Sequence, residues 1–278
     1  MSTPVEPDDK HKDNAEVAAD ALDAFRDGIK PSEEGRFQDI RIRMDTTDLG
    51  RAAWHGLAAS QAHSNWKGVG FQKTCFEMIM YPELIKNEGI ATVIEYGPFT
   101  GAAMCYMAEQ VKMGLDDPDK SPKFIGIDLV LKYIHPKCWE HAERLGITFQ
   151  EGNTAHAMEL FAKLKETMPK PWLIVEDAHY NCQNVLEAFD AFSEPGDYMI
   201  VEDCNSDYLQ AFIDTLPSAK ERWEYEQENE VCRLKSEQVR NLCVKYKDEG
   251  RYLVDSKYQD MFGFNVHKGR NSILRRMK

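Results

Sequence analysis

Between residues 91 and 203, short apolar runs alternate with longer stretches whose apolar positions recur at helical spacing. That alternation is the signature of a parallel sheet wrapped by helices. It predicts strands at 91–95, 123–128, 147–150, 172–177 and 198–203, and helices at 101–113, 135–145, 155–167 and 182–192. Beyond residue 203 it predicts helices over 207–216 and 220–249 and late edge strands at 252–255 and 264–267. Ahead of the sheet, Asp13 and Glu16 fit a capping box, Val17, Ala21, Leu22 and Phe25 share a helical face, and Gly28 can close the helix. No unit of about 20 to 50 residues recurs, which excludes repeat architectures. The expected organisation is a flexible acidic tail at 1–12, a helical N-terminal extension or cap at 13–88, and one α/β domain at 89–278.

Composition narrows the partners. The 278 residues are 42% hydrophobic, enough for a substantial core, and carry 47 Asp and Glu against 34 Lys and Arg, a formal net charge of -13. Such a field repels phosphate backbones and anionic lipid, so neither nucleic acid nor a membrane surface is an expected partner. The first residues lack an apolar core behind a basic tip, and nowhere do about 18 apolar residues run together as a membrane span requires. A cytoplasmic protein is expected. Its seven cysteines (75, 105, 138, 182, 204, 232 and 243) form no C-x-x-C pair and are read as reduced, mostly buried thiols.

The segment ATVIEYGPFTGAAMCYMAEQVKMG runs from a strand through a turn with Gly97 and Gly101 into a helix. Gly97 permits a tight turn, and Gly101 permits close approach of a ligand to the backbone. The spacing fits neither the dinucleotide G-x-G-x-x-G nor a phosphate loop, so a diphosphate is disfavoured. Glu95, at the very end of the strand, stands where a cationic amine can be received. S-adenosylmethionine carries an ammonium and a sulfonium and no phosphate, and it suits an acid beside a glycine turn. The next strand, KFIGIDL, ends in Asp128, placed as acids are when they hold the two hydroxyls of an adenosine ribose. His135, followed by Pro136, is a candidate for the adenosine end.

Polar residues also crowd the later strand ends. PWLIVEDAHYN ends in Glu176, Asp177 and His179, and DYMIVEDCN ends in Glu202 and Asp203. In an open α/β sheet ligands bind at the carboxyl ends of strands, so these groups converge on the crevice of Glu95 and Asp128. Converging carboxylates need a cation, raised pKa values or hydrogen bonds to coexist. Three or four oxygen ligands from this group, with water, would suit a hard divalent ion such as magnesium. The rival account gives the same acids the ammonium of an amino-acid-like acceptor or the positive charges of the cofactor. His179 is a candidate for proton transfer. His141, His156 and His267 are read as surface residues, and the basic end KGRNSILRRMK as a solvated tail or a final strand.

Together these pieces resemble the class I S-adenosylmethionine-dependent methyltransferases, and among them the cephalosporin hydroxylase or rhamnosyl O-methyltransferase family. The matching segments run in family order from HSNWKGVGFQKTCFEMIMYPELI through VIEYGPFTGAAM, FIGIDL, HPK, EGNT, LIVEDAHYN and PGDYMIVEDCN to YLVDSKYQDMFGFNVHKGRNSILRRM, covering residues 60–278. The resemblance implies a doubly wound, Rossmann-like, mostly parallel sheet of seven strands, the seventh antiparallel, with helices on both faces. It also implies S-adenosylmethionine at the first strand ends, with Asn153, Thr154 and Asp177 added to the cofactor set, and a homodimer or larger homo-oligomer. In magnesium-binding members the metal set corresponds to Asp177 (or its neighbour Glu176), Glu202 and Asp203. The family's Asp-Ser-Asp-His-Ser reads Glu-Asp-Ala-His-Tyr here.

The expected function is methyl transfer to a small-molecule acceptor, either an amino-acid-like thioether or amine such as methionine, or a hydroxyl. A hydroxyl needs a base or a metal, for which His179, Asp177 and Tyr180 are the candidate catalytic set, and a magnesium-dependent O-methyltransferase is the alternative. A thioether needs neither, and its product sulfonium is favoured by acids and aromatic faces. Trp66, Tyr81, Glu202 and Asp203 are the candidate acceptor-binding residues. A nicotinamide or flavin oxidoreductase and a non-catalytic adenosine-binding module are the remaining classes.

Overall fold

The computed structural model describes residues 34–115, 117 and 120–278. The helix expected at 13–28 and the tail at 1–12 lie outside the described residues. The chain divides after Arg36, and the sheet and its helices belong to the unit Phe37–Lys278. Its elements are β1 (Phe37–Gln38), α1 (Arg51–Ser60), β2 (Asn65–Trp66), β3 (Val69–Gly70), α2 (Cys75–Asn87), β4 (Thr92–Tyr96), α3 (Ala102–Met113), β5 (Lys123–Asp128), α4 (Pro136–Leu145), β6 (Ile147–Glu151), α5 (Ala157–Thr167), β7 (Trp172–Glu176), α6 (Cys182–Phe192), β8 (Tyr198–Val201), α7 (Ser206–Thr215), α8 (Ala219–Lys245), β9 (Tyr252–Asp255), the single turn α9 (Ser256–Gln259) and β10 (Ile273–Arg276).

Eight strands form one sheet in the order β1-β9-β10-β8-β7-β4-β5-β6, and β2 and β3 form a separate hairpin. The central five, β8-β7-β4-β5-β6, are parallel, and β10, β9 and β1 extend the β8 edge antiparallel. The order reverses between β4, β5 and β7, which opens the crevice in which such sheets bind ligands. Two expectations are corrected. The sheet has eight strands, because β1 adds to β9 with Phe37 opposite Asp255. Residues 264–267 form a loop, and the final strand is β10, in which Leu274 can face Met199 on one side and Val254 on the other.

Side chains alternate across the strands, as the period of two requires. Val93, Phe124, Leu173, Val175, Tyr198 and Ile200 pack with α2, α3 and α4 on one face. Ile94, Ile125, Trp172, Ile174, Met199 and Val201 pack with α5, α6 and α8 on the other. A smaller cluster joins α1 to α7 through Trp54, Ala58, Tyr208 and Leu209. Residues 37–88 thus belong to the same compact unit as the sheet. The apolar residues of α2 and of the β2–β3 hairpin complete the sheet's own core, while those of α1 pack on α7.

The β2–β3 hairpin is fastened to α3 through one carboxylate. Glu109 accepts from the Trp66 indole at 2.8 Å, from Lys67 at 3.0 Å and from Arg144 at 3.0 Å. Partial burial works against its charge, but these donors outweigh it and hold its pKa at about 2, below an ordinary value of 4.5. A carboxyl depressed in the folded state adds stability above its unfolded pKa and loses it as pH falls toward the folded one. Glu109→Gln is therefore expected to lower the melting temperature at neutral pH, with the gap to wild type closing as pH falls from about 4.5 toward 2. A gap independent of pH in thermal scans would reject this account.

Candidate active site

A cavity of about 400 Å³ opens at the carboxyl ends of β4, β5 and β7. Its wall includes Glu95, Gly97, Asp128, Thr154, Asp177, His179, Tyr180 and Asp203, together with Lys73 and Lys268. Gly97 is required by close packing: it has φ +83°, and a Cβ there would stand 2.6 Å from the Asp177 carbonyl oxygen. Gly101 also has a positive φ, but the space a Cβ would take is bounded by the Phe149 ring at 2.9 Å. Protein rather than ligand thus makes the close approach at Gly101. Phe99, His179, Asn181 and Asp203, none of them glycine, also take left-handed backbone here. Such conformations are sparsely populated and cluster at functional sites.

Strand parity sorts the acids. Glu95 follows the alternation of Val93, Asp177 that of Val175, and Glu202 that of Ile200, so these three turn toward the α2 side of the sheet. Glu176 turns toward α8, where Lys235 Nζ lies 2.8 Å from its Oε2 and donates to the Glu202 main-chain oxygen at 3.2 Å. On the α2 side Lys73 Nζ donates to Glu202 Oε1 at 2.6 Å and to Asp177 Oδ2 at 2.9 Å, and it lies 3.3 Å from Glu95 Oε1. Lys268 Nζ lies 2.9 Å from Asp203 Oδ1 and 3.4 Å from Glu202 Oε2. Tyr81 donates to Glu202 Oε1. His179 Nε2 lies 3.3 Å from Asp203 Oδ2 and 3.6 Å from Asp177 Oδ1.

These contacts set the charge states. Burial raises Glu95 to about 7 and Asp177 to about 6 despite Lys73. Burial also opposes ionisation of Glu202, but Lys73 and Lys268 hold it at about 2. Asp203 lies well below its usual range for the same kind of reason, with Lys268 and His179 overcoming burial. Burial and Lys235 lower His179, and the carboxylates of Asp203 and Asp177 outweigh them, leaving it raised.

Not every expected site residue reaches the cavity. Trp66 is buried under its bond to Glu109 and an edge contact with His141, and Tyr81 is buried against Glu202. Neither is among the cavity's lining residues, because α2 and the hairpin pack against the sheet below its mouth. Glu202 lies under the floor, fully buried. His135 caps α4 by accepting from the Lys137 amide, and Asn153 accepts from the Ala155 amide; both serve local turns. His267, read as a surface residue, is buried, with Nδ1 accepting from the Gly269 amide at 2.9 Å. The basic end is not a solvated tail: Lys268 enters the acid cluster and residues 273–276 form β10. Lys73, Lys235 and Lys268 were missed as site residues because they lie outside the strand–turn motifs. Only the number of acids awaiting counter-charges hinted at them.

The residues present fit S-adenosylmethionine. Glu95 Oε2 is buried at the cavity wall without a hydrogen-bond partner, as a receptor for an ammonium would be. Asp128, Gly152 and Thr154 line the side where an adenosine would lie. For a metal, the described residues offer one group, Asp177, His179 and Asp203, with ligand atoms within 4.8 Å of one another, and its donors suit magnesium poorly. Both oxygens of Glu202 and one each of Asp177 and Asp203 already face ammonium groups, and the oxygens left over face an imidazole, a poor partner for so hard an ion.

The family model described as rhamnosyl O-methyltransferase/CmcI matches residues 59–230. A CmcI structure with magnesium and S-adenosylmethionine is 21% identical, covers 78% of each chain and superimposes with a TM-score of 0.54. An apo CmcI structure is 22% identical, covers 78% of this chain and 77% of its own, and gives 0.55. At these identities the likeness speaks for the fold. No curated protein matches the sequence. The family match spans well over half of the chain and agrees with the sheet order and the acid-lined cavity, and the protein belongs to the rhamnosyl O-methyltransferase/CmcI family of class I S-adenosylmethionine-dependent methyltransferases.

Proposed function

We propose that the cavity binds S-adenosylmethionine and that the protein methylates the neutral sulfur of a small amino-acid-like thioether, methionine being the simplest. When bound, the cofactor supplies an electrophilic methyl group on a sulfonium. Glu95 is assigned to its ammonium and Asp128 to its ribose hydroxyls. Asp177, His179, Tyr180 and Asp203 form the acceptor side of the cavity wall.

The observation that carries this reading is the placement of His179 Nε2 between Asp177 and Asp203. With Nε2 facing two carboxylates and keeping its proton there, only Nδ1 is left to take a proton from a hydroxyl. A thioether presents its own lone pair, so no proton has to move. The chain's task is then to align the sulfur, exclude water and favour the positive charge on the product. The Asp177 and Asp203 carboxylates do the last through their field, and the exposed Tyr180 ring at the cavity mouth can offer its face to the sulfonium. A hydroxyl acceptor is the second reading. It is favoured by the His179–Asp203 pair, which is the arrangement of an oriented base, and by the family's O-methyltransferase members.

Two outcomes test the assignments. In calorimetry, Asp128→Ala and Glu95→Gln are each expected to weaken S-adenosylmethionine binding by roughly tenfold or more; unchanged affinity in both would remove these residues from the cofactor site. With a labelled methyl donor, a panel of thioethers, amines and hydroxyl compounds is expected to show transfer to the thioether. His179→Ala should cut kcat/KM for that acceptor by about ten- to a hundredfold with cofactor affinity kept. Transfer to hydroxyls alone would establish the second reading.

A further inference from the structure

We propose that Lys73 and Lys268 stand in for a divalent cation, so that this protein works without a metal and acquires a metal site when Lys73 loses its charge. The inference rests on the methyltransferase reading for its catalytic half, but its metal-binding half does not. Four carboxylates, those of Glu95, Asp177, Glu202 and Asp203, converge at the ends of β4, β7 and β8. A cation must hold them together, since like charges so close cannot all stay ionised unaided. Lys73 Nζ fills that role at 2.6, 2.9 and 3.3 Å from three of them, with Lys268 bridging Glu202 and Asp203. A divalent ion on the same oxygens would share them with two ammonium groups at close range, and mutual repulsion would expel one or the other.

The lysines are built in rather than adventitious. Both are buried, and both are fixed by Glu77 in the first turn of α2. Glu77 Oε2 accepts from the amide and hydroxyl of Thr74, both at 2.6 Å, which fixes the backbone immediately after Lys73. Glu77 Oε1 accepts from the main-chain amide of Lys268 at 3.3 Å, and Lys268 Nζ donates to the Gln72 carbonyl at 3.2 Å. One buried carboxylate thus brackets two lysines from opposite ends of the unit. Glu77 is a positioning residue, and Lys73 is the internal counter-ion.

Manganese(II) serves as the probe, read by the loss of its free electron paramagnetic resonance signal on titration into the full-length protein, with folding followed by circular dichroism. Wild type is expected to leave the signal unchanged at millimolar metal and to retain methyl transfer after EDTA dialysis. Lys73→Ala, and in parallel Lys268→Ala, should bind one manganese per chain at least about tenfold more tightly than wild type, and Asp177→Asn in the same background should abolish that binding. Stoichiometric manganese binding by wild type, or activity lost to EDTA and restored by magnesium, would overturn the proposal. So would folded lysine variants with no gain in metal affinity. If one variant does not fold, the other and the wild-type titration still decide. A wild type that neither binds manganese nor methylates any acceptor leaves the metal result standing and counts against the function proposed above.

Discussion

Everything at the mouth of the sheet depends on the way buried negative charge is compensated. Glu176 and Glu202 lie at the ends of adjacent central strands with no exposure to water, and Glu95 is nearly as deep. An unpaired carboxylate there would be driven to its neutral form or would destabilise the fold by several kcal/mol. The chain answers with three buried lysines, each from a segment outside the parallel βαβ core: Lys73 ahead of α2, Lys235 in α8 and Lys268 in the loop before β10. These ion pairs fasten the N-terminal segment, the long helix and the C-terminal hairpin strands to one point.

The same network shapes the chemistry. Because Glu202 and Asp203 are held ionised while burial raises Glu95 and Asp177, the cavity floor mixes fixed carboxylates with others whose charge responds to what binds. A cationic ligand entering such a wall draws the raised groups into their ionised form and is held in turn. The positive-φ residues Phe99, His179, Asn181 and Asp203 aim the loops over that floor, and packing around the cavity holds them there.

Much of this was legible in the residues. Short apolar runs bounded by Gly, Asp and Glu located all five parallel strands to within about two residues, because β4, β5, β7 and β8 are buried on both faces and read as continuous apolar stretches, while the edge strand β6 alternates. The Glu95, Gly97 and Asp128 pattern pointed to the cavity because strand ends and their turns are local features. The wrong expectations share a different origin. Trp66 and Tyr81 were grouped with the acceptor on residue type alone, yet their polar atoms are turned to Glu109 and Glu202. His267 and Lys268 sit in a polar, basic stretch that reads as surface until β9 and β10 fold it back against β8.

The amino-acid sequence by itself determined the alternating architecture, the glycine turn and the set of acids at strand ends, since each follows from periodicity and from neighbours a few residues apart. Only the tertiary structure decided which charges meet. The partners of Glu202 lie 129 and 66 residues away, at Lys73 and Lys268. No local pattern encodes such distances; they arise when crossovers and an antiparallel edge bring remote segments to the same end of one sheet. The counter-charge these acids meet belongs to that long-range geometry, because the ammonium groups beside them come from segments that only packing brings to the sheet.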